Sequence, residues 1–290
     1  MPSPLYRPEM TDAGLVPTVP VAAIDEYRNA REMDIADERP LTIYVDSYEI
    51  VTLMTIGTHP ELLALGYLRN QGLVNDIREI KSVQVDWEVS AAAIATFSER
   101  DDWQERLGPR IVTTGCGQGT VYGDIMERLA EATIEPLRLK QSGIYALLRN
   151  LNAFNEVYRT AGGVHGCALC HGKDVLVFVE DVGRHNAVDV IAGRMWLEGL
   201  EGRDKLFYTT GRLTSEMVIK VAQMGIPVLL SRSGITQMGL KIARDLGVTL
   251  FSRVQNKHFL VYNGTENIEF DVTLPPKLEV ANLKPAAARN

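Results

Sequence analysis

The sequence predicts an α/β protein whose first half is α+β, and three observations carry that reading. In the second half, short runs of β-branched and aromatic residues alternate with helix-length segments, the pattern of a largely parallel sheet with right-handed crossovers. In the first half, two adjacent strand-like runs share one short turn and precede a helix, so those strands pair with each other. The 290 residues, 46% hydrophobic and 23% charged, have the length and composition of a globular protein with one large domain or two smaller ones.

Residues 1–20 are rich in proline and lack periodicity, so a flexible tail is expected there. An N-terminal α+β domain is expected over 21–138. Strands over 41–46 and 49–54 surround Ser47, and Pro60 opens a helix with Leu62, Leu63, Leu65 and Leu68 on its apolar face and Gly72 at its end. Strand-like sequence over 80–97 and a charged stretch over 98–110 lead through Ile111 and Val112 to the loop Thr113-Thr114-Gly115-Cys116-Gly117-Gln118-Gly119. A C-terminal domain is expected over 139–278. It begins with a helix over 142–158 and a break at Gly162-Gly163. Strands over 175–180, 205–210, 227–231 and 248–253 then alternate with helices over 186–197, 214–224 and 236–246, the last two closed by Gly225 and Gly247. Residues 279–290 form a second expected tail.

A formal charge of -7 and a pI near 5.4 argue against a general nucleic-acid partner, because that surface repels a phosphate backbone. An anionic ligand therefore needs a dedicated pocket. No run approaches the roughly 18 apolar residues of a membrane span, and the first residues lack a signal-peptide core, so a cytoplasmic protein with no membrane partner is expected. The three cysteines, Cys116, Cys167 and Cys170, are then expected to be free, catalytic or metal-binding.

An arginine recurs where strands give way to helices: Arg184 in Asp181-Val182-Gly183-Arg184-His185-Asn186, Arg212 in Thr209-Thr210-Gly211-Arg212, and Arg232 in Ser231-Arg232-Ser233-Gly234, with Arg253 ending the fourth strand. In parallel sheets such turns gather at the carboxyl edge, and the planar guanidinium donates two parallel hydrogen bonds to phosphate. The bland alternative is pairing with Glu180, Asp181 or Glu216 on a solvated edge. The coordinated placement favours a phosphorylated or nucleotide-like ligand.

Cys116 sits among Gly115, Gly117 and Gly119, a loop with little bulk to fix one conformation. A mobile thiol suits a sulfur carrier, which accepts sulfur as a persulfide and presents it to an acceptor; the alternative is a small buried hydrophobe. The segment His165-Gly166-Cys167-Ala168-Leu169-Cys170-His171 meets the c-type haem pattern, but without an export signal. It could also hold zinc, form a redox pair, or start a helix with small residues inward, and the last reading leads for Cys170. The zinc deaminase signature fails, since no glutamate follows His165 in H-x-E spacing and no proline precedes Cys167. His59 fits a helix start, His258 a basic loop, and His185, beside Arg184, is the histidine best placed for a site.

These residues resemble the formate dehydrogenase accessory sulfurtransferase family, FdhD/NarQ. The resemblance runs from about Leu41 to Gly264 and rests on Asp181-Val182-Gly183-Arg184-His185-Asn186-Ala187, with Gly162-Gly163-Val164-His165, Ser215-Glu216-Met217, Gly225-Ile226-Pro227-Val228 and Ser231-Arg232-Ser233 in support. It implies a C-terminal cytidine deaminase-like three-layer domain, a homodimer, and a sulfurtransferase that passes sulfur from a cysteine desulfurase to the molybdenum bis-guanine-dinucleotide cofactor. That cofactor is bound as substrate, is needed by formate dehydrogenase or a related molybdoenzyme, and leaves the protein with no catalytic metal of its own. Carried over residue by residue, Cys116 takes the persulfide, and Arg253, Val254, Gln255, Asn256, Lys257 and His258 take the cofactor-binding loop. Two positions depart from the family. Gly119 replaces the second loop cysteine, and Gln255, Asn256 and Lys257 replace arginine and glycines. The first departure opens three alternatives: Cys167 or Cys170 supplies the missing thiol, one thiol suffices, or the protein is a non-catalytic cofactor-binding chaperone.

Overall fold

The computed structural model describes residues 5–98, 103 and 134–274. A five-stranded sheet in the first half combines β1 (Glu9–Met10), β4 (Arg39–Val45), β5 (Tyr48–Thr55), β6 (Ile80–Asp86) and β7 (Ala91–Thr96) in the order β1-β6-β7-β4-β5. The expected hairpin is β4–β5, turning at Asp46 and Ser47, both left-handed (φ 46° and 72°). A second hairpin, β2 (Thr18–Ile24) with β3 (Ala30–Ala36), stands apart from that sheet.

The tail expected over 1–20 is corrected from residue 5 onward. Tyr6 donates its hydroxyl to the Ile80 carbonyl at 2.6 Å, and β1 pairs with Ser82 and Val83. Thr11 Oγ1 and the Ala13 amide both donate to Glu61 at 2.7 and 2.9 Å. A two-residue strand held by single side-chain bonds leaves no periodic trace in sequence, which is why proline content misled there.

The second half is built on a six-stranded sheet of β9 (His165–His171), β10 (Asp174–Asp181), β11 (Leu206–Thr209), β12 (Val228–Ser231), β13 (Thr249–Gln255) and β14 (His258–Asn263), ordered β10-β9-β11-β12-β13-β14. The sheet is mixed. Only β11, β12 and β13 are mutually parallel, while β9 runs antiparallel to β10 and β11, and β14 to β13. The tight turns joining β9 to β10 and β13 to β14 leave no room for a crossover and force antiparallel pairing. The segment with Cys167 and Cys170, for which a helix start was the leading reading, is a strand inside this sheet. A short ladder of β8 (Leu139–Lys140) with β15 (Ile268–Glu269) lies beside it.

Period-two alternation divides the second sheet between two helical layers. Cys167, Leu169, Phe207, Leu229 and Leu250 face the core shared with α4 (Arg184–Leu197), α5 (Ser215–Gln223) and α6 (Gln237–Asp245). Ala168, Cys170, Leu206, Tyr208, Val228, Leu230 and Phe251 face α2 (Gln141–Leu151). The helix expected over 142–158 is split. Asn155 turns left-handed at φ 69°, and the Glu180 carboxylate accepts from the amides of Val157 and Tyr158, starting α3 (Glu156–Thr160) afresh.

Helix α1 (Pro60–Asn70) joins the halves. It crosses α4 at two glycines: a Cβ on Gly66 would fall on the Asp189 carbonyl, and one on Gly193 on the Leu62 carbonyl. Backbone-to-backbone approach of this kind admits no larger residue. One buried cluster consequently runs from Leu41 and Ile43 in the first sheet through Leu63 and Ile191 to Leu250 in the second.

Candidate functional site

Because β11, β12 and β13 are parallel, their carboxyl ends and the turns that follow share one edge, and antiparallel β9 begins there with His165. Two of the turns are fastened to each other. Thr209 Oγ1 accepts from the Gly211 amide at 3.0 Å, and Ser231 Oγ donates to the Gly211 carbonyl at 2.6 Å while accepting from the Ser233 amide at 2.9 Å. Arg232 N–H reaches the Thr209 carbonyl and Arg253 N–H the Ser233 carbonyl, each at 3.0 Å. Arg253 is left-handed (φ 53°) at a break in the β13–β14 register, a conformation that costs about 1–2 kcal/mol in a non-glycine residue.

The arginine side chains held on this platform are uncommitted. Arg212, Arg232 and Arg253 are exposed, and none enters an ion pair among the described residues. Arg184 is buried, packs its stem against Gly211, and has no partner at Nε. The carboxylates offered by the bland alternative are engaged elsewhere: Glu180 holds α3, Asp181 binds backbone and side-chain donors, and Glu216 lies by His185 and Lys220. Guanidinium groups gathered at one edge with no ion pair among the described residues have the chemistry to hold an anion.

A cleft of about 360 Å³ opens at this edge, lined by Asn155, Tyr158, His165, Thr210, Arg232 and Ser233 among others. His165 is half-buried. Burial, then the charges of Arg184 and Arg212, lower its pKa from the ordinary value, so the imidazole is neutral at pH 7.

Beneath the edge lies a buried polar network. Lys220 Nζ is 2.8 Å from Asp189 and 3.7 Å from Glu216, Asn70 donates to Asp189 at 2.6 Å, and His185 Nε2 is 3.2 Å from Glu216. Burial lowers the Lys220 pKa, but the two carboxylates outweigh it and keep the ammonium charged. His185 is pushed down to about 2 by burial and by Lys220 and Arg184, which makes it neutral. With Gly183 and Asn186 it lines a cavity of about 240 Å³ against β5.

The sequence matches the FdhD/NarQ family over residues 36–269. The chain belongs to that family. It is 30% identical over 232 residues to the Bacillus subtilis protein named sulfur carrier protein FdhD, covering 80% of this chain and 88% of the relative. A Listeria monocytogenes protein of the same name is 31% identical over 241 residues, covering 82% and 92%. A solved structure from Desulfotalea psychrophila, described as a formate dehydrogenase accessory protein, superposes with a TM-score of 0.69 at 26% identity, covering 87% of this chain and 98% of that one.

In this FdhD/NarQ chain the Asp181–Ala187 block mostly fastens the two halves. Asp181 Oδ2 accepts from Thr55 Oγ1 at 2.5 Å and the Ile56 amide at 3.3 Å; Oδ1 accepts from the Gly183 amide at 2.9 Å and Asn186 Nδ2 at 2.8 Å. Asn186 Nδ2 also donates to the Met54 carbonyl at 2.6 Å. Of the six loop residues, Arg253, Gln255, Asn256, Lys257 and His258 are exposed on the arginine edge side of the β13–β14 turn, whereas Val254 is packed into the α2 core and has no free side chain.

Cys116 lies outside the described residues. Cys167 and Cys170 are fully buried on opposite faces of β9, and burial pushes each thiol up to about 12. Cys167 donates to Thr209 Oγ1 at 3.3 Å. Neither is a nucleophile in this fold. The zinc alternative fails on geometry, since the four candidate ligands are strung along one strand, and no cluster of three or more metal-binding groups occurs among the described residues. Sequence reasoning missed Asn155 and Tyr158 as cleft residues, because they come from the loop and helix that replace the tail of the expected long helix. His165 was carried by the Gly162-Gly163-Val164-His165 motif, but nothing in the sequence gave it a place in the cleft. Among the described residues no helix is long and apolar enough to cross a membrane.

Proposed function

We propose that this protein is a sulfur carrier for a formate dehydrogenase, and that it passes sulfur from a cysteine desulfurase to the molybdenum bis-guanine-dinucleotide cofactor bound as substrate. The reading draws on the names of its relatives and on one observation: at a single sheet edge Arg212, Arg232 and Arg253 enter no ion pair among the described residues, with Arg184 behind them. A guanine dinucleotide carries pyrophosphates that such an edge would hold. The Cys116 thiolate attacks the outer sulfur of the desulfurase persulfide; the S–S bond breaks, the desulfurase leaves as thiolate, and Cys116 bears the new persulfide. The cytidine deaminase-like assignment of the second half, a homodimer and a cytoplasmic location belong to the same proposal, supported by the family resemblance.

Burial of Cys167 and Cys170 argues against either thiol replacing the cysteine absent at Gly119 and favours a single-thiol carrier or a cofactor-binding chaperone. Intact-mass measurement after incubation with a cysteine desulfurase and cysteine separates the two. A gain of about 32 Da in wild type and in the Cys167→Ala/Cys170→Ala double variant, lost in Cys116→Ala, supports the carrier. No gain on Cys116 in any variant overturns it in favour of the chaperone.

A further inference from the structure

The cleft holds a histidine with no assigned task. His165 is the first residue of β9, and its odd-numbered register with Cys167 and Leu169 turns it to the α4 face, toward Arg184. It shares the cleft with Arg232, Thr210 and Tyr158. The groups that face it are therefore cationic or neutral: Arg184 and neutral His185 from α4, Arg212 from the β11–α5 turn, Arg232 from the β12–α6 turn, and the Tyr158 phenol from α3. Its register partner on β10, Asp181, has both carboxylate oxygens occupied by Thr55, Ile56, Gly183 and Asn186. No carboxylate among the described residues lines this cleft.

An imidazole in that setting stays neutral because a proton on it would add to a cluster of like charge in a half-buried place. A bound polyphosphate reverses the balance. Its oxygens neutralise the guanidinium groups and offer an acceptor to a protonated ring, so ligand and proton favour each other, and by linkage each raises the other's affinity.

We propose that His165 is a ligand-contacting residue of the anion cleft and that a polyphosphate diester binds there with uptake of one proton from solvent onto the His165 imidazole. The inference rests on the anion-site reading above and extends it. The cleft becomes a proton-coupled phosphate site, in which the charge on His165 is present only when the ligand is.

The test is calorimetric titration of the full-length protein with diguanosine pyrophosphate, whose diester phosphates keep their charge between about pH 6 and 8, run in buffers of different ionisation enthalpy. The proposal expects net proton uptake rising toward one as the pH falls, and an affinity that strengthens by up to about tenfold per pH unit over that range. In His165→Gln, which keeps a hydrogen-bond donor and loses the titration, binding persists, its pH dependence flattens, and proton uptake disappears. Binding in wild type without proton uptake, or with uptake that survives in His165→Gln, overturns the role of His165 and leaves the anion site standing. Absence of binding in wild type, or binding that Arg232→Ala leaves unchanged, overturns the anion-site reading itself and this inference with it.

Discussion

Asp181 tests whether the family-specific block binds ligand or holds the two halves together. Its carboxylate accepts four hydrogen bonds, two from Thr55 and Ile56 in the first half and two from Gly183 and Asn186 in the second, and the residue is only 2% exposed. Asp181→Ala leaves the Ile56 and Gly183 amides without acceptors in a site that water does not reach. At roughly 1–3 kcal/mol for each orphaned buried donor the loss is about 2–6 kcal/mol. It is reduced by release of a carboxylate whose pKa burial has raised, which marks the charge itself as a cost of folding. A net loss of about 3 kcal/mol follows. Asp181→Asn retains an oxygen for Gly183 and Asn186 and points its amide at Thr55 Oγ1, which can rotate to accept, so only the long Ile56 bond is lost and the expected cost is about 1 kcal/mol. Urea unfolding of the three proteins measures these values from the midpoints at constant m. Binding of diguanosine pyrophosphate by Asp181→Asn should match wild type, because Asp181 does not line the cleft and its carboxylate is spent on Thr55, Ile56, Gly183 and Asn186. Equal stabilities for the Ala and Asn variants, or an Ala variant within about 0.5 kcal/mol of wild type, would refute the fastening role.

The other predictions concern buried groups. Lys220→Met removes the ammonium from between Asp189 and Glu216 and should cost about 3–5 kcal/mol; adding Asp189→Asn should recover part of that loss, and a strictly additive double variant would show that the pair is not coupled. Native protein should expose no more than one thiol to a thiol reagent and three after denaturation, so a fast reaction at Cys167 or Cys170 would contradict their place in β9. Both thiols are pushed up from 9.0 to about 12 in the fold, which means the folded state holds its protons longer. Their contribution is complete below pH 9.0 and is lost as the pH rises toward 12, by up to about 1.4 kcal/mol per pH unit for each thiol; thermal melts of wild type should fall more steeply above pH 9.0 than those of Cys167→Ala/Cys170→Ala. Gly193→Ala should destabilise by more than about 2 kcal/mol despite its helical position, because the added carbon meets the Leu62 carbonyl; a neutral or stabilising result in urea unfolding would refute the close crossing of α1 and α4.

Helix α1 and the strand and helix series of the second half were legible because each element carries its own signal: Pro60 and Gly72 bracket α1, Gly225 follows α5, Gly247 follows α6, and β-branched runs mark β10 to β13. The arginines at the strand ends were legible too, since their spacing is local. What the sequence could not say was direction and depth. Whether β9 is a helix start or a strand depends on β10 and β11, which bury Cys167 on one face and Cys170 on the other, and a run of small residues carries no period that distinguishes the two. Whether the sheet is parallel throughout depends on which turns are too short for a crossover, and residues 5–13 reach their partners through single bonds to Ile80, Ser82 and Glu61 that leave no pattern. Composition and spacing determined by themselves that an acidic α/β chain carries arginines where strands end. Only tertiary structure decided that Glu180, Asp181 and Glu216 are engaged elsewhere, and it is this engagement that leaves Arg212, Arg232 and Arg253 without an ion pair among the described residues.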